Sequence, residues 1–405
     1  MRLANLAAVG AGTLALAFSA GAANAQKKYD EGASDTEIKI GHANPYSGNA
    51  SAYGQIGKTI AAFFKTVNAE GGINGRKITF ISYDDAYSPP KAVEAVRKLV
   101  EEDKVLLIFQ TLGTPSNTAI RKYLNNKKVP QLFVATGAST WGSPKEYPWT
   151  MGWQPDYQTE GVIYAKHILA NVKDPKIGVL MQNDDYGRDY FNGFKRGLGK
   201  DADKIAQVAT YEVADPNVDS QMIALKSSGA NVFFNITTPK FAAQAIKKAH
   251  EIGWKPVHYL NNVSISVGSV MKPAGLDASQ GIVTAAYLKD STDPQFKNDA
   301  DMIAWGQFMD KFHPQGDKTS SFTLYGYTVA SNLAEVLKRT GDTLTRENVM
   351  KQAASLKGLE LPLLLPGIKI NTSATDFYPI QSVRLQRFEG ETWRLFGDVL
   401  SNESE

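Results

Sequence analysis

Residues 36–85, TEIKIGHANPYSGNASAYGQIGKTIAAFFKTVNAEGGINGRKITFISYDD, run from an apolar strand through a polar Ser/Gly loop and a long amphipathic helix to a glycine-rich turn and a second strand. A strand, a covering helix and a second strand in that order commit a chain to a parallel sheet, because parallel neighbours need a crossover that lies on the sheet's face. Residues 37–42 and 77–83 read as the strands, and between them residues 53–69 put Ile56, Ile60, Phe63, Phe64 and Val67 on one helical stripe. Gly71, Gly72 and Gly75 end that helix and turn the chain.

The alternation continues. Residues 91–102 carry a helical stripe of Ala92, Val93, Val96, Leu99 and Val100, followed by a strand at 105–109, a helix at 116–124 and a strand at 131–135. After an aromatic-rich passage at 141–157 the rhythm restarts: helices at 161–171, 189–199, 221–228 and 241–252 alternate with strands at 176–181, within 203–213, at 232–236 and at 256–260. Residues 281–287 read as a strand returning to the first unit, 319–340 as a long helix, and 361–387 as strand-like with turns. The fold class is α/β, with two mostly parallel, Rossmann-like lobes covered on both faces and no repeat at a fixed period. A chain of 405 residues has room for two such domains.

The first 25 residues stand apart from this pattern. Arg2, an apolar run over 6–20 and Ala23-Asn24-Ala25 form the charged, apolar and small-residue regions of an export signal cleaved after Ala25, so a periplasmic location is expected. The run is shorter than the roughly 18 residues that span a bilayer. The chain has no cysteine, which excludes disulfides, a lipid-modified N-terminal Cys, a thiolate metal site and a cysteine nucleophile. Without Arg2, 43 Lys and Arg face 41 Asp and Glu, a balance of +2 that makes nucleic acid a poor partner.

In open parallel sheets ligands collect beyond the carboxyl ends of the strands. Loops 42–53, 110–117 and 136–141 occupy that position and are rich in Ser, Thr, Gly and Asn. Hydroxyls and helix N-terminal N–H groups hold a carboxylate without a formal cation. Helix capping and turn formation explain any one of these loops, but their succession points to a site. Tyr46, Tyr53, Trp141, Trp153, Tyr157, Tyr186 and Tyr325 crowd the same edges, where rings with polar tips wall an apolar ligand. Asp84-Asp85 and Asp184-Asp185 follow strands, and adjacent residues on extended chain diverge, so both pairs read as caps and loop braces. The five histidines lack metal-ligand spacing, and H-E-x-x-H, G-x-S-x-G and G-x-G-x-x-G are absent, so no enzyme, cofactor or metal is expected.

Five blocks carry a family resemblance: IKIGHANPYSGNASAYGQ at 38–55, NAEGGINGRKI at 68–78, YDDAYSPPKAVEAVRKLV at 83–100, NDDYGRDY at 183–190 and YGYTVASNLAEVLKRTG at 325–341. Through them nearly all of the mature chain resembles the periplasmic binding proteins of branched-chain amino acid transport, type I fold, including the Leu/Ile/Val-binding proteins. The resemblance implies two lobes, residues 26–154 with 284–370 and residues 155–283 with 371–405, joined by three crossovers. It also implies a monomer that closes on a small ligand and docks on the permease of an ABC importer. Carried over by position, Tyr53 is the aromatic wall of the first loop, and Gly113 and Thr114 fall where the family holds a carboxylate. Because Gly113 lacks the expected hydroxyl, Thr114 or Ser116 is left to supply it. Gly137 and Ser139 match the next loop's backbone and hydroxyl contacts, Tyr186 the second-lobe aromatic, Thr237 a second aromatic position now lost, and Tyr325 an aromatic on the late helix.

One departure bears on the ligand. Where the family carries a Glu that pairs with a ligand ammonium, this chain reads Asn261-Asn262-Val263-Ser264, with Val263 in register. A buried ammonium without a partner costs several kcal/mol. The expected ligand is therefore a small aromatic or aliphatic carboxylate without a free α-amine. Asp185 or Glu160 swinging into the cleft would restore amino acid binding, and a sensor for a membrane receptor is a further use of the same lobes.

Overall fold

The computed structural model describes residues 27–401, so the expected export signal lies outside the described residues. Strand β1 (Lys28–Tyr29) leads into β2 (Glu37–Asn44), α1 (Gly54–Ala69), β3 (Lys77–Asp84), α2 (Pro89–Glu101), β4 (Leu107–Phe109), α3 (Thr114–Lys127), β5 (Gln131–Val134) and β6 (Thr150–Gly152). The chain continues through α4 (Tyr157–Asn171), β7 (Ile177–Gln182), α5 (Asp185–Leu198), β8 (Ile205–Tyr211), α6 (Asp219–Ser227), β9 (Val232–Ile236), α7 (Pro239–Glu251), β10 (Val257–Leu260), the short α8 (Lys272–Ala274) and β11 (Val283–Ala286). Helices α9 (Ala300–Phe312) and α10 (Ser321–Thr340), strand β12 (Thr343–Leu344), helix α11 (Arg346–Ala353) and the hairpin of β13 (Ser382–Glu389) and β14 (Thr392–Ser401) follow.

Two sheets organise two lobes. The first has the order β3-β2-β4-β5-β6 and is wholly parallel. The second has the order β14-β13-β11-β10-β9-β7-β8, parallel from β8 to β11 and antiparallel at β13 and β14. Strands β7 and β9, IGVLMQ and VFFNI, are buried at every position. Helices on both faces remove the solvent side of such strands, which is why their sequences do not alternate.

Residues 281–287, expected to return to the first unit, instead place β11 beside β10 in the larger sheet, with Tyr259 opposite Val283. Of the strand-like 361–387, only the part from Ser382 is a strand; it pairs antiparallel with β11 and then with β14. Helix α9 and strand β6 were not anticipated.

Helices α4 and α5 touch through glycines. A Cβ on Gly193 would lie 2.3 Å from the Gln158 backbone, and one on Gly161 2.7 Å from the Phe194 nitrogen. Asp156 caps α4 by accepting from the Gln158 and Thr159 amides at 3.1 and 3.2 Å, and Asp184 caps α5 through the Tyr186 and Gly187 amides at 3.0 and 3.2 Å. Asp84 braces the first loop through the Tyr46 and Ala86 amides, both at 2.9 Å.

Candidate functional site

A cavity lies between the lobes, beyond the carboxyl ends of the strands of both sheets. From the first sheet, the loops and helix starts after β2, β3, β4, β5 and β6 bring Tyr53, Tyr87, Gly113 with Thr114, Ala135, and Gln154 with Tyr157 to it. From the second, the segments after β7, β9, β10 and β11 bring Tyr186, Thr238, Asn262 with Val263, and Tyr287 through Asp290. Its space, about 820 Å³ counted with the solvent it opens into, is in the range of small-molecule sites.

At the first-lobe end, Gly113 enters α3 with φ 93°, and a Cβ there would come 2.6 Å from the Tyr87 ring. Glycine at this position thus makes room for Tyr87, which replaces the missing hydroxyl with an aromatic wall. The Gly113 N–H donates to the Ala135 carbonyl at 3.2 Å, and the Thr114 and Thr136 hydroxyls pair at 2.6 Å. The start of α3 also brings the positive end of a helix dipole to the cavity.

Much of the wall is aromatic. Tyr157 stacks on Tyr190 with centroids 4.2 Å apart and meets Tyr186 edge-on at 5.6 Å. Tyr53 tilts against Phe322 at 5.0 Å. The Tyr325 hydroxyl donates to Gln154 Oε1 at 3.2 Å, whose Nε2 reaches the Tyr157 hydroxyl at 3.1 Å. Burial pushes the Tyr53, Tyr87 and Tyr186 phenols well above their ordinary value, so they stay protonated and able to donate.

Two charged side chains line the cavity. Lys289 Nζ is held by both oxygens of Asp299 at 2.8 Å and by Asp301 at 2.9 Å. Asp290 accepts from the Thr292 amide at 2.8 Å and hydroxyl at 2.5 Å, and burial raises its carboxyl above the usual range. Neither residue was anticipated. Both follow the end of β11, and the strand-end rule finds them once that strand is placed in the second sheet.

Of the positions carried over from the family resemblance, Tyr53, Gly113, Thr114, Tyr186, Val263 and Tyr325 line the cavity. The other four have different surroundings. Ser116 is buried in the first turn of α3, its hydroxyl without a partner among the described residues. Gly137 lets Tyr157 and Pro155 approach, since a Cβ there would lie 2.3 Å from the Pro155 carbonyl oxygen. The Ser139 hydroxyl and amide donate to Asp189 on α5 at 2.7 and 2.8 Å. Thr237 donates to Asn235 at 2.7 Å, and its neighbour Thr238 faces the cavity instead. Asp185 is exposed and paired with Arg188 at 2.9 Å, while Glu160 is buried and bonded within the protein; neither lines the cavity.

Cross-lobe bonds close the cleft. The Tyr53 hydroxyl donates to the Val263 carbonyl at 3.2 Å, and Asn49 donates to the Val213 carbonyl at 2.7 Å while accepting from Lys240 at 3.0 Å. With the Ser139–Asp189 contact, these place the structure in a closed form.

A family model described as periplasmic binding protein matches residues 37–392. The Leu/Ile/Val-binding protein homolog 1 of Brucella abortus is 25% identical over 333 residues, covering 80% of this chain and 85% of that protein. Among solved structures, a branched chain amino acid ABC transporter from Thermus thermophilus with bound valine has a TM-score of 0.82 at 14% identity, covering 91% of this chain and 97% of that one. The fatty acid ABC transporter substrate-binding protein from Thermomonospora curvata has a TM-score of 0.79 at 20% identity, over 93% and 95% of the two chains. At these identities the solved structures speak to the fold alone.

Proposed function

The chain belongs to the periplasmic binding protein family, and from that premise we propose that it is the solute-binding component of an ABC importer, which captures a small carboxylate without a free α-amine between its lobes and presents it to the permease as a monomer. The export-signal pattern read in the sequence of residues 1–25 supports a periplasmic location. The observation that carries the ligand assignment is the wall after β10. Asn262, Val263 and Ile265 line it, and Glu160 behind them has both oxygens bonded inside the protein. A ligand ammonium at that wall would meet no carboxylate, whereas the start of α3 with the Thr114 hydroxyl suits a carboxylate. Capture follows from closure: a ligand touching both lobes binds the closed form better and shifts the population toward it.

Asp290 favours a second reading, in which an amino acid binds with its ammonium on that carboxylate. Solved structures of the same fold include a valine complex and a fatty acid transporter's binding protein, so the fold accommodates either ligand class.

A thermal-shift panel on protein stripped of carried-over ligand separates the two. Benzoate, 3-phenylpropanoate and 4-methylvalerate are compared with leucine and phenylalanine, and a ligand at a hundredfold excess over its Kd adds about 2.7 kcal/mol of stability. Stabilisation by the amine-free acids alone is the expected result. Stabilisation by the amino acids, lost in Asp290→Asn, establishes the second reading instead.

A further inference from the structure

We propose that the second-lobe wall of the cavity receives an uncharged oxygen of the ligand on one of several unpartnered neutral donors, so that the preferred ligands are hydroxy- or oxo-substituted carboxylic acids rather than plain hydrocarbon acids; this rests on the small-carboxylate reading above. The Tyr186 hydroxyl, the Asn262 amide nitrogen and the Gln386 amide nitrogen are buried without a hydrogen-bond partner among the described residues. Their side chains belong to residues only 3, 7 and 2% exposed, and all three residues line the cavity. They come from the start of α5, the segment after β10 and the middle of β13, so no single cap or turn accounts for them, and with β7 and β13 four strands apart they are spread along the second-lobe wall.

Two neighbouring polar side chains are satisfied internally. The Tyr211 hydroxyl donates to Gln182 at 3.1 Å and accepts the Thr238 amide at 3.0 Å. Gln154 is held between Tyr157 and Tyr325. The three unpartnered groups are uncharged donors, which complement a hydroxyl or carbonyl oxygen. An ammonium there would face donors. A second carboxylate would find Lys289 already engaged by Asp299 and Asp301. A hydrocarbon tail would leave all three donors unpaired, and sites built to hydrogen-bond a substrate oxygen discriminate strongly against analogues that lack it.

The test is titration calorimetry on stripped protein with two matched pairs, benzoate against 4-hydroxybenzoate and 3-phenylpropanoate against 3-(4-hydroxyphenyl)propanoate, with leucine as a control. In at least one pair the hydroxylated acid is expected to bind about tenfold tighter or more. That ratio should fall toward one in at least one of Asn262→Leu, Gln386→Leu and Tyr186→Phe, the last of which keeps the ring and therefore the packing, and the variant that collapses it locates the oxygen along the wall. Equal affinity within both pairs, or a ratio that survives all three substitutions, overturns the subsite while leaving the carboxylate reading in place. Leucine binding tighter than every amine-free acid overturns that reading and the subsite with it.

Discussion

Glu160 Oε1 accepts the backbone N–H of Asn262 at 2.8 Å, so a carboxylate on α4 anchors the segment after β10 from behind the cavity. The same carboxylate accepts the Tyr164 hydroxyl at 2.7 Å and the Tyr190 hydroxyl at 2.9 Å. A fully buried charge must be satisfied by its surroundings, and here the protein supplies all three donors. Rotating Glu160 toward a ligand ammonium would break each of these bonds and release the loop that carries Asn262 and Val263.

The first prediction concerns pH. Burial outweighs those donors and pushes the Glu160 carboxyl up to about 7, and burial likewise pushes Asp85 up to about 7. A raised carboxyl means that the native state holds protons which the unfolded chain has already released, so the contribution of these two groups falls as pH rises from about 4.5 to about 7 and levels off above, while His42 and His258, which burial holds down to about 3, act the other way up to about pH 6.5. The measurable quantity is the difference between wild type and variant: as pH rises across that window the melting temperature of Glu160→Gln should move upward relative to the wild type's, whatever net slope Asp85, the other raised carboxyls Asp156, Asp184 and Asp290, and the histidines leave. An identical slope in the variant would mean that Glu160 titrates near its ordinary value.

Asn49 is the next test, because one first-lobe side chain engages both Val213 and Lys240 of the second lobe. Asn49→Ala removes both bonds only in the closed form. At about 1 kcal/mol for a typical bond, ligand affinity should drop roughly tenfold or more, with little change in the stability of the ligand-free protein. Small-angle scattering should show a more open particle. Unchanged affinity and an unchanged radius of gyration would show that the latch contributes nothing to closure.

Tyr53→Phe isolates a single closure bond. The hydroxyl that donates to the Val263 carbonyl is lost while the ring remains against Phe322. Ligand affinity should fall by a few-fold, the effect of about 0.5–1.5 kcal/mol. A larger loss would point to direct contact between that hydroxyl and the ligand, which comparing the loss for benzoate and 4-methylvalerate would reveal.

The alternation of strands and helices was legible because buried parallel strands are short apolar runs and their covering helices keep a stripe at helical spacing. What escaped depends on distant partners. Gln386 reaches the cavity because β13 inserts beside β11 and pairs it with Thr284, a relationship no local pattern encodes. Gly113 read as a lost hydroxyl, although a Cβ there would strike the ring of Tyr87, 26 positions earlier in the chain. Ser139 had the chemistry to hold a carboxylate and does hold one, but it belongs to Asp189 across the cleft. The sequence of a loop does not distinguish a ligand's carboxylate from one on the opposite lobe.

The contact between α4 and α5 gives the last prediction. A methyl group on Gly193 would sit 2.3 Å from both the Cα and the carbonyl oxygen of Gln158, and backbone atoms within a helix have no rotamer by which to move aside. Gln158 also donates to Asp189 at 2.8 Å and to Ser139 at 3.0 Å, so displacing it disturbs the cleft clasp as well as the helix pair. Gly193→Ala should therefore destabilise the protein by about 1–3 kcal/mol or more, the cost of overpacking, and should weaken ligand binding. Gly306 in α9 is the control: a Cβ there meets nothing, and Gly306→Ala should stabilise by roughly 0.5–1 kcal/mol through helix propensity alone. Urea denaturation of the two variants should move in opposite directions. A Gly193→Ala midpoint equal to the wild type's would mean that the helices separate at little cost and that their close approach is not what positions Asp189.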